Sequence, residues 1–170
     1  VESSSANVSV SVSAVNDAPV LASVSDVSFD EDGSGSTTLS SNDVDGDELT
    51  YSITGGSDIA ATINGTALLF SAPANYNGSE TFTITVSDSE LTDSQNITVT
   101  IIPVNDAPVA TTGLSGSTNE DQNIIIALSA SDVDGDNLTF SLDADGTNGS
   151  VSIDGSVATY TPTSNYNGDD

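Results

Sequence analysis

The sequence predicts an all-β fold built from tandem β-sandwiches. Three features of its 170 residues lead to this prediction: alternating apolar and polar residues, a tandem repeat, and turn-forming residues between the alternating segments. In residues 81–86 (TFTITV) and 96–101 (NITVTI), apolar side chains occupy every second position and are mostly β-branched. A period of two with this composition is typical of strands that bury one face.

Seven strands are expected in the first repeat, separated by clusters of Gly, Asn, Asp and Pro. No segment has the spacing of an amphipathic helix. Seven short strands in about 90 residues correspond to the size of an immunoglobulin-like sandwich. The expected strands lie near residues 24–29, 36–40, 48–54, 59–63, 66–71, 80–88 and 94–102.

Four motifs recur in the same order, which is the sequence signature of a repeat protein. The first three recur after 89 residues and the last after 90, so one residue is inserted in the second copy. The motifs are VNDAPV at 15–20 and 104–109, Glu-Asp at 31–32 and 120–121, DVDGD at 43–47 and 132–136, and NYNG at 75–78 and 165–168.

These motifs divide the chain into three parts. We expect residues 15–103 to form a complete repeat, and residues 104–170 to form a second repeat that lacks its last two strands. Residues 7–12 (NVSVSV) match 96–101, so residues 1–14 are predicted to be the closing strand of a preceding repeat in a longer array. In a second interpretation this strand completes a neighbouring chain's open sandwich, although one donated strand cannot replace two missing ones.

The charge balance excludes several classes of partner. The chain contains 26 acidic residues and no Lys, Arg or His, which gives a formal net charge of −26. Such a charge repels nucleic acids and anionic membrane surfaces. No apolar run approaches the roughly 18 residues needed to span a bilayer. We therefore expect neither nucleic-acid binding nor direct membrane insertion.

The residue types needed for most catalysis are missing as well. Without His, Cys, Lys or Arg the chain has no imidazole base, thiolate nucleophile, Schiff-base amine or guanidinium group. A pair of carboxylates can hydrolyse a glycoside, but such a site needs a cleft with aromatic platforms, and the chain contains no Trp. We expect that the protein is not an enzyme.

The repeated DVDGD loop, residues 43–47 and 132–136, is the main candidate for a functional site. Three carboxylates lie within five residues, and no side chain of the chain can neutralise them. A bound cation turns this repulsion into attraction. Calcium accepts six to eight oxygen ligands, whereas transition metals prefer imidazole or thiolate, so the residue types predict Ca²⁺.

Two other interpretations of the loop are weaker. Asp43, Asp45 and Asp47 match positions one, three and five of an EF-hand, but Glu48 and Thr54 occupy the places of its invariant Gly and bidentate Glu. Asp, Asn and Gly also form ordinary turns. Three neighbouring acids that recur beside the same VNDAPV motif favour a ligand role over a simple turn.

With these motifs, the chain resembles the cadherin-like tandem repeats of large bacterial surface adhesins. The resemblance implies immunoglobulin/cadherin-like Greek-key β-sandwiches and an extracellular or cell-surface location. The Asp-Arg-Glu motif of animal cadherins has no counterpart, and Glu80 is the acid nearest to that place. The matching segments are NDAP at 16–19 and 105–108, similar to the cadherin linker, and DVD at 43–45 and 132–134, similar to the Asp-x-Asp motif.

By the same resemblance, each junction between repeats would bind calcium. Glu31 and Glu120 resemble the early glutamate of cadherin repeats, and Asp88 resembles their late aspartate. Asp47 and Asp136 lead into the next strand and are left out of the expected set. The expected ligands are Asn16, Asp17, Asp43, Asp45 and Asp88 before the first repeat, Glu31, Glu80, Asn105, Asp106, Asp132 and Asp134 between the repeats, and Glu120 as the counterpart of Glu31.

The function predicted from these features is structural. The chain would be a segment of a calcium-stiffened adhesin, fibre or surface filament, with neighbouring repeats and identical chains in a filament as its partners. The alternative is a cadherin-like module that binds a glycan or a protein partner within a secreted multidomain protein or enzyme. An exposed aromatic cluster would favour that alternative, but Tyr51, Phe70, Tyr76 and Phe82 are expected in the core.

Overall fold

The computed structural model describes residues 3–170. The regular secondary structure of these residues consists of β-strands, which confirms the all-β prediction. The described residues include no helix that could cross a membrane. The chain divides into two compact units, one ending at Val104 and the other comprising Asn105–Asp170.

The first unit contains nine strands. Seven of them overlap the predicted strands, whereas two strands of two residues each are too short to show an alternating pattern in the sequence. The strands are β1 (Val20–Leu21), β2 (Val27–Asp30), β3 (Ser34–Thr38), β4 (Ser41–Asn42), β5 (Thr50–Gly55), β6 (Ala60–Asn64), β7 (Ala67–Ser71), β8 (Gly78–Ser87) and β9 (Thr92–Ile102).

Two sheets form the sandwich of the first unit. One has the strand order β2-β9-β8-β5 and the other the order β3-β7-β6, while β1 and β4 form a separate antiparallel pair. Within the four-stranded sheet, β8 is antiparallel to both β9 and β5. The strand β2 is parallel to β9, with Val27 opposite Val99 and Asp30 opposite Ile102.

The core lies between these two sheets. Every second residue in the second half of β8, including Phe82 and Ile84, is buried, as the alternation predicts. Phe82 meets Phe70 of the opposite sheet edge to face, with ring centroids 5.3 Å apart. Tyr51 and Tyr76 are half-buried and pack against the core. The buried hydrophobic residues are Leu21, Val24, Leu39, Ile59, Leu68, Phe70, Phe82, Ile84, Val86, Ile97, Val99 and Ile101.

The second unit repeats one sheet of the first. Its sheet has the order β11-β14-β13, which corresponds to β3-β7-β6, and its short pair β10-β12 corresponds to β1-β4. Residues 168–170 align with the first three residues of β8, and the sequence ends there. The strands are β10 (Val109–Ala110), β11 (Ile124–Ala127), β12 (Ala130–Ser131), β13 (Gly149–Asp154) and β14 (Val157–Pro162).

Residues 105–170 contain no counterpart of β5 and no buried hydrophobic residue, and strand pairing explains both differences. Residues 139–144 align with β5 but form no strand, because β5 pairs with β8 in the first unit. The buried hydrophobic residues described by the structure all lie in the first unit, where β8 and β9 provide half of them. A sheet without its facing sheet cannot exclude water from its inner side chains.

Residues 3–19 form no strand in the structure. Within the predicted closing strand, Val8, Val10 and Val12 are exposed. Residues 1 and 2 of that predicted segment lie outside the described residues. The assignment of residues 1–14 to a preceding repeat stays a prediction.

The Phe70–Phe82 contact leads to a stability prediction for the first unit. Replacing Phe82 by Ala removes a side chain that is 1% exposed, so the free energy of unfolding should fall by about 3–5 kcal/mol. Urea denaturation followed by circular dichroism measures this change. Thr81→Ala is the matched control, because Thr81 is exposed on the same strand and should change stability by at most about 0.5 kcal/mol. Equal losses in both variants would contradict the assigned core.

Candidate metal centre

The loop of residues 43–47 joins β4 to β5 and is organised around Asp43. Its Oδ1 atom accepts hydrogen bonds from the backbone N–H groups of Asp45 (2.8 Å), Gly46 (3.1 Å) and Asp47 (3.5 Å). Gly46 has φ +81°, a conformation that glycine adopts without strain. The other oxygen, Oδ2 of Asp43, is buried and has no hydrogen-bond partner among the described residues.

Two more carboxylates lie close to Asp43. Oxygen atoms of Asp43, Asp47 and Asp88 lie within 4.8 Å of one another. Asp88 follows β8 and is only 7% exposed. The clustering of three acids, one of them with a buried and unpartnered oxygen, is an arrangement in which a cation relieves repulsion.

Asp88 is held in place by hydrogen bonds on both of its carboxylate oxygens. Oδ1 accepts from the backbone N–H groups of Glu90 (2.7 Å) and Leu91 (2.6 Å), and Oδ2 accepts from Nδ2 of Asn16 (2.9 Å). The Leu91 N–H bond, followed by the Asn16 bond, lowers the pKa of Asp88 below its ordinary value. The side chain therefore stays ionised and oriented near Asp43.

The segment that enters the first unit is attached to the same loop. Asn16 binds Asp88 as described, and the backbone N–H of Asp17 donates to Oδ2 of Asp45 (2.8 Å). The five ligands expected before the first repeat are Asn16, Asp17, Asp43, Asp45 and Asp88, and hydrogen bonds connect Asn16 to Asp88 and Asp17 to Asp45. Asp43 and Asp88 belong to the carboxylate cluster, whereas the carboxylates of Asp17 and Asp45 are not part of it. The role of all five as metal ligands stays a prediction.

Asp47 belongs to this cluster although the sequence argument leaves it out. The residue is exposed, as its place before the next strand suggests, yet its carboxylate approaches Asp43 and Asp88. The recurrence of an acid at the fifth loop position, as Asp136, is the available signal in the sequence.

The second loop repeats the turn of the first. Oδ1 of Asp132 accepts from the backbone N–H groups of Asp134 (3.0 Å) and Asp136 (3.3 Å). The backbone N–H of Asp106 donates to Oδ2 of Asp134 (2.7 Å), as Asp17 does to Asp45. The same residues therefore produce the same local geometry in both units.

The side chain of Asn105 makes a different hydrogen bond from that of Asn16. The counterpart of Asp88 lies outside the sequence, and Nδ2 of Asn105 donates instead to the backbone carbonyl of Asp106 (2.9 Å). Asn16, in contrast, reaches across the first unit to Asp88. Within residues 105–170, the structure therefore shows the loop and the linker parts of the arrangement.

Glu31 is a second buried acid of the first unit, 7% exposed at the end of β2. Its Oε1 accepts from the backbone N–H of Val104 (2.6 Å), and its Oε2 accepts from Nδ2 of Asn77 (3.4 Å). These contacts attach the chain that leaves β9 to the end of β2. Glu120, the counterpart of Glu31, is exposed. A ligand role for either residue stays a prediction.

The carboxylate of Glu80 is hydrogen-bonded to the loop at residues 57–59. Its carboxylate accepts hydrogen bonds from the backbone N–H groups of Ser57, Asp58 and Ile59, at 3.0–3.1 Å, and from Oγ of Ser57 at 2.6 Å. The Ser57 hydroxyl is the main reason that the pKa of Glu80 falls from 4.5 to about 2. The arrangement connects β8 to the loop that precedes β6.

Asp170 plays the same part in the second unit. It accepts hydrogen bonds from the backbone N–H groups of Thr147 (2.7 Å) and Asn148 (2.9 Å), and from the hydroxyl of Tyr160 (2.9 Å). In the first unit, the strand between Glu80 and Asp88 separates these two acids by about 26 Å at the usual rise per residue. Glu80 therefore lies far from the cluster at Asp43, and its expected role as a ligand between the repeats stays a prediction.

The lowered pKa of Glu80 predicts how stability depends on pH. Because the folded-state pKa (about 2) lies below the ordinary value of 4.5, ionised Glu80 stabilises the fold above pH 4.5, and this stabilisation is lost as pH falls towards 2. The difference in unfolding free energy between wild type and Glu80→Gln should therefore be largest near neutral pH and disappear near pH 2. Denaturation at a series of pH values tests this expectation.

Glu90→Gln is the control for that series. Glu90 is exposed, and its carboxylate accepts no hydrogen bond from residues 3–170. Its replacement should leave the pH dependence of stability unchanged. A difference between wild type and Glu80→Gln that is constant across the pH range would contradict the assigned hydrogen bonds.

The fold and the repeated acidic loops define a tandem β-sandwich protein with candidate cation sites. The family model described as "Bacterial Ig domain" matches residues 16–100 and 105–170, nearly the whole chain. The chain therefore belongs to the bacterial Ig domain family. This confirms the expectation of bacterial, immunoglobulin-type tandem repeats.

Several solved structures are similar to this chain at low identity. One is the endo-fucoidan hydrolase MfFcnA4 from glycoside hydrolase family 107, at 20% identity and a TM-score of 0.42, where the match covers 86% of this chain and 24% of that chain. Another is titin domains Z1Z2 in complex with telethonin, at 9% identity and a TM-score of 0.39, covering 89% of this chain and 84% of that chain.

A third similar structure is the surface layer protein SbsC, domains 4–9. The identity is 15% and the TM-score 0.36, and the match covers 89% of this chain and 27% of that chain. The chain thus spans about a quarter of the length of both the hydrolase and the surface layer protein. No match was found among curated protein sequences.

Proposed function

We propose that this chain is a structural segment of an extracellular bacterial surface protein, and that its Ig-like repeats bind calcium at the DVDGD loops. One observation carries the proposal. The Oδ2 atom of Asp43 is buried without a hydrogen-bond partner in the described structure, and carboxylate oxygens of Asp43, Asp47 and Asp88 lie within 4.8 Å of one another. No side-chain cation exists in the chain to balance these charges.

The donor set fits calcium better than other metals. Carboxylates, the amide of Asn16 and backbone carbonyls supply only oxygen ligands, and calcium takes six to eight of these in flexible geometry. Magnesium requires a tighter octahedron and retains water, and transition metals prefer the imidazole or thiolate ligands that the sequence lacks. Waters would complete the coordination.

Calcium bound here would act mechanically. Asn16 and Asp17 belong to the segment that enters the first unit, and both contact the acidic loop or Asp88. An ion shared by this segment, the loop and Asp88 would hold the segment against the unit and restrict its swinging. The repeated motif, with Asn105, Asp106, Asp132 and Asp134, would act in the same way, and Glu31 and Glu120 remain further candidate ligands.

This mechanism supports a calcium-stiffened adhesin, fibre or surface filament, with neighbouring repeats and identical chains as partners. Membership of the bacterial Ig domain family agrees with a surface location. A chain without cysteine cannot use disulfides for stability outside the cell, so a bound ion would replace them. No catalytic role is proposed, since the residue types for it are missing.

A glycan-binding or accessory module is less well supported by the structure. Phe70 and Phe82 are buried, and Tyr51 and Tyr76 pack against the core. These residues therefore cannot form the exposed aromatic platform that stacking on sugar rings requires. The structural role is the better conclusion for the first unit.

Calcium removal is the direct test of the proposal. Excess Ca²⁺ should raise the melting temperature relative to the EDTA-treated chain, because an ion at 100 times its Kd stabilises the folded state by about 2.7 kcal/mol. Limited proteolysis should show faster cleavage within 15–20 and 104–109 after chelation. Scanning calorimetry and mass spectrometry of the fragments measure the two effects.

Asp43→Asn serves as the control for specificity. The amide keeps an oxygen that can accept the N–H bonds of the loop, but it removes the carboxylate charge beside Asp88. The variant should fold and show a reduced calcium effect. Identical melting and cleavage of the wild-type chain with and without calcium would refute the proposed function.

A further inference from the structure

Asp47 is the fifth residue of the loop and lies outside the Asp-x-Asp motif. We infer that Asp47 is a direct carboxylate ligand of a cation held between Asp43 and Asp88, and that it sets the affinity of this site. The inference rests on the proposed calcium binding. It identifies which of the crowded acids of the loop would contact the ion.

The distances fit a single ion. Calcium–oxygen bonds measure about 2.3–2.6 Å, so two oxygens on one ion are at most about 4.6–5.2 Å apart. Oxygens of Asp43, Asp47 and Asp88 lie within 4.8 Å of one another, inside this limit.

The loop turn places Asp47 in this position. Its backbone N–H donates to Oδ1 of Asp43 (3.5 Å), and Oδ2 of Asp43 stays buried and unpartnered among the described residues. Oδ1 of Asp43 therefore shapes the loop while Oδ2 is available to the ion. The same N–H bond recurs between Asp136 and Asp132 at 3.3 Å.

Unlike the carboxylates of Asp45 and Glu80, the carboxylate of Asp47 is not held by hydrogen bonds from described residues. The carboxylates of Asp45 and Glu80 accept backbone N–H groups. Within residues 3–170, the carboxylate of Asp47 accepts no hydrogen bond. An acid placed beside two like charges, with no donor to compensate it, is explained by a cation.

The ordinary alternative is that Asp47 is a solvating surface acid. In that case its neighbour Glu48, which is also exposed and carries the same charge, would contribute equally to cation attraction. Glu48 is not among the acids gathered at Asp43. Comparing variants of Asp47 and Glu48 therefore distinguishes direct binding of the ion from general electrostatic attraction.

The experiment is calcium titration calorimetry on the full chain after EDTA treatment. All variants also carry Asp132→Asn, which weakens the second loop so that the measured binding comes from the first. Asp47→Asn should weaken calcium binding by about tenfold or more, whereas Glu48→Gln should change it by less than about twofold. Circular dichroism should show unchanged folding, because the Asp47→Asn substitution leaves the backbone N–H bond to Asp43 in place.

The outcomes separate the inference from the proposed function. Equal affinities of the Asp47→Asn and Glu48→Gln variants would overturn the ligand role of Asp47 and leave calcium binding intact. Binding by the wild-type chain that is lost entirely in the Asp132→Asn background would place the ion at the second loop, and would also overturn the inference. No binding by the wild-type chain would overturn both.

Discussion

Carboxylates in this protein have to be stabilised without any side-chain cation. The backbone supplies much of that stabilisation: Asp26 accepts the N–H of Thr98 (2.7 Å), and Asp93 accepts the N–H of Leu21 (2.9 Å). Hydrogen bonds to ionised acceptors are stronger than neutral ones, so these acids attach strand edges and loops to the sandwich. In the cluster of acids at Asp43, the Oδ2 atom of Asp43 is buried and accepts no hydrogen bond from a described residue.

The strands could be predicted well because the alternation of apolar and polar residues indicates which face of a strand is buried. The pairing of strands could not, since β2 and β9 are distant in the chain and nothing in their alternation specifies a parallel register. The pairs β1-β4 and β10-β12 are too short to leave a pattern. The tandem repeat, in contrast, can be recognised directly from the sequence. Loops of the same sequence form the same hydrogen bonds, as the bonds accepted by Asp43 and Asp132 show.

The candidate site could be predicted from motifs only in part. The linker and the DVDGD loop are recognisable, and the structure brings them together through Asn16 and Asp17. The resemblance suggests a ligand role for Glu80, but it does not reveal the hydrogen bonds to its carboxylate, whose donors lie more than twenty residues earlier in the chain. A loop that closes over a carboxylate in this way leaves no local signal in the sequence. The motif does not identify Asp47, because the sequence does not show that an exposed residue at this position directs its carboxylate towards the buried Asp88.

The parallel pairing of β2 with β9 has a consequence for how the first unit responds to force. The chain enters near β2 and leaves directly after β9, so tension applied to its two ends would pull these strands in opposite directions along their length. The hydrogen bonds between β2 and β9, which are paired from Val27 opposite Val99 to Asp30 opposite Ile102, would then be loaded together in shear. Glu31 adds its bond to Val104 at the same place. Strands loaded in shear must break several bonds at once, whereas strands that peel apart break them one by one, and we expect the unit to yield only at high force.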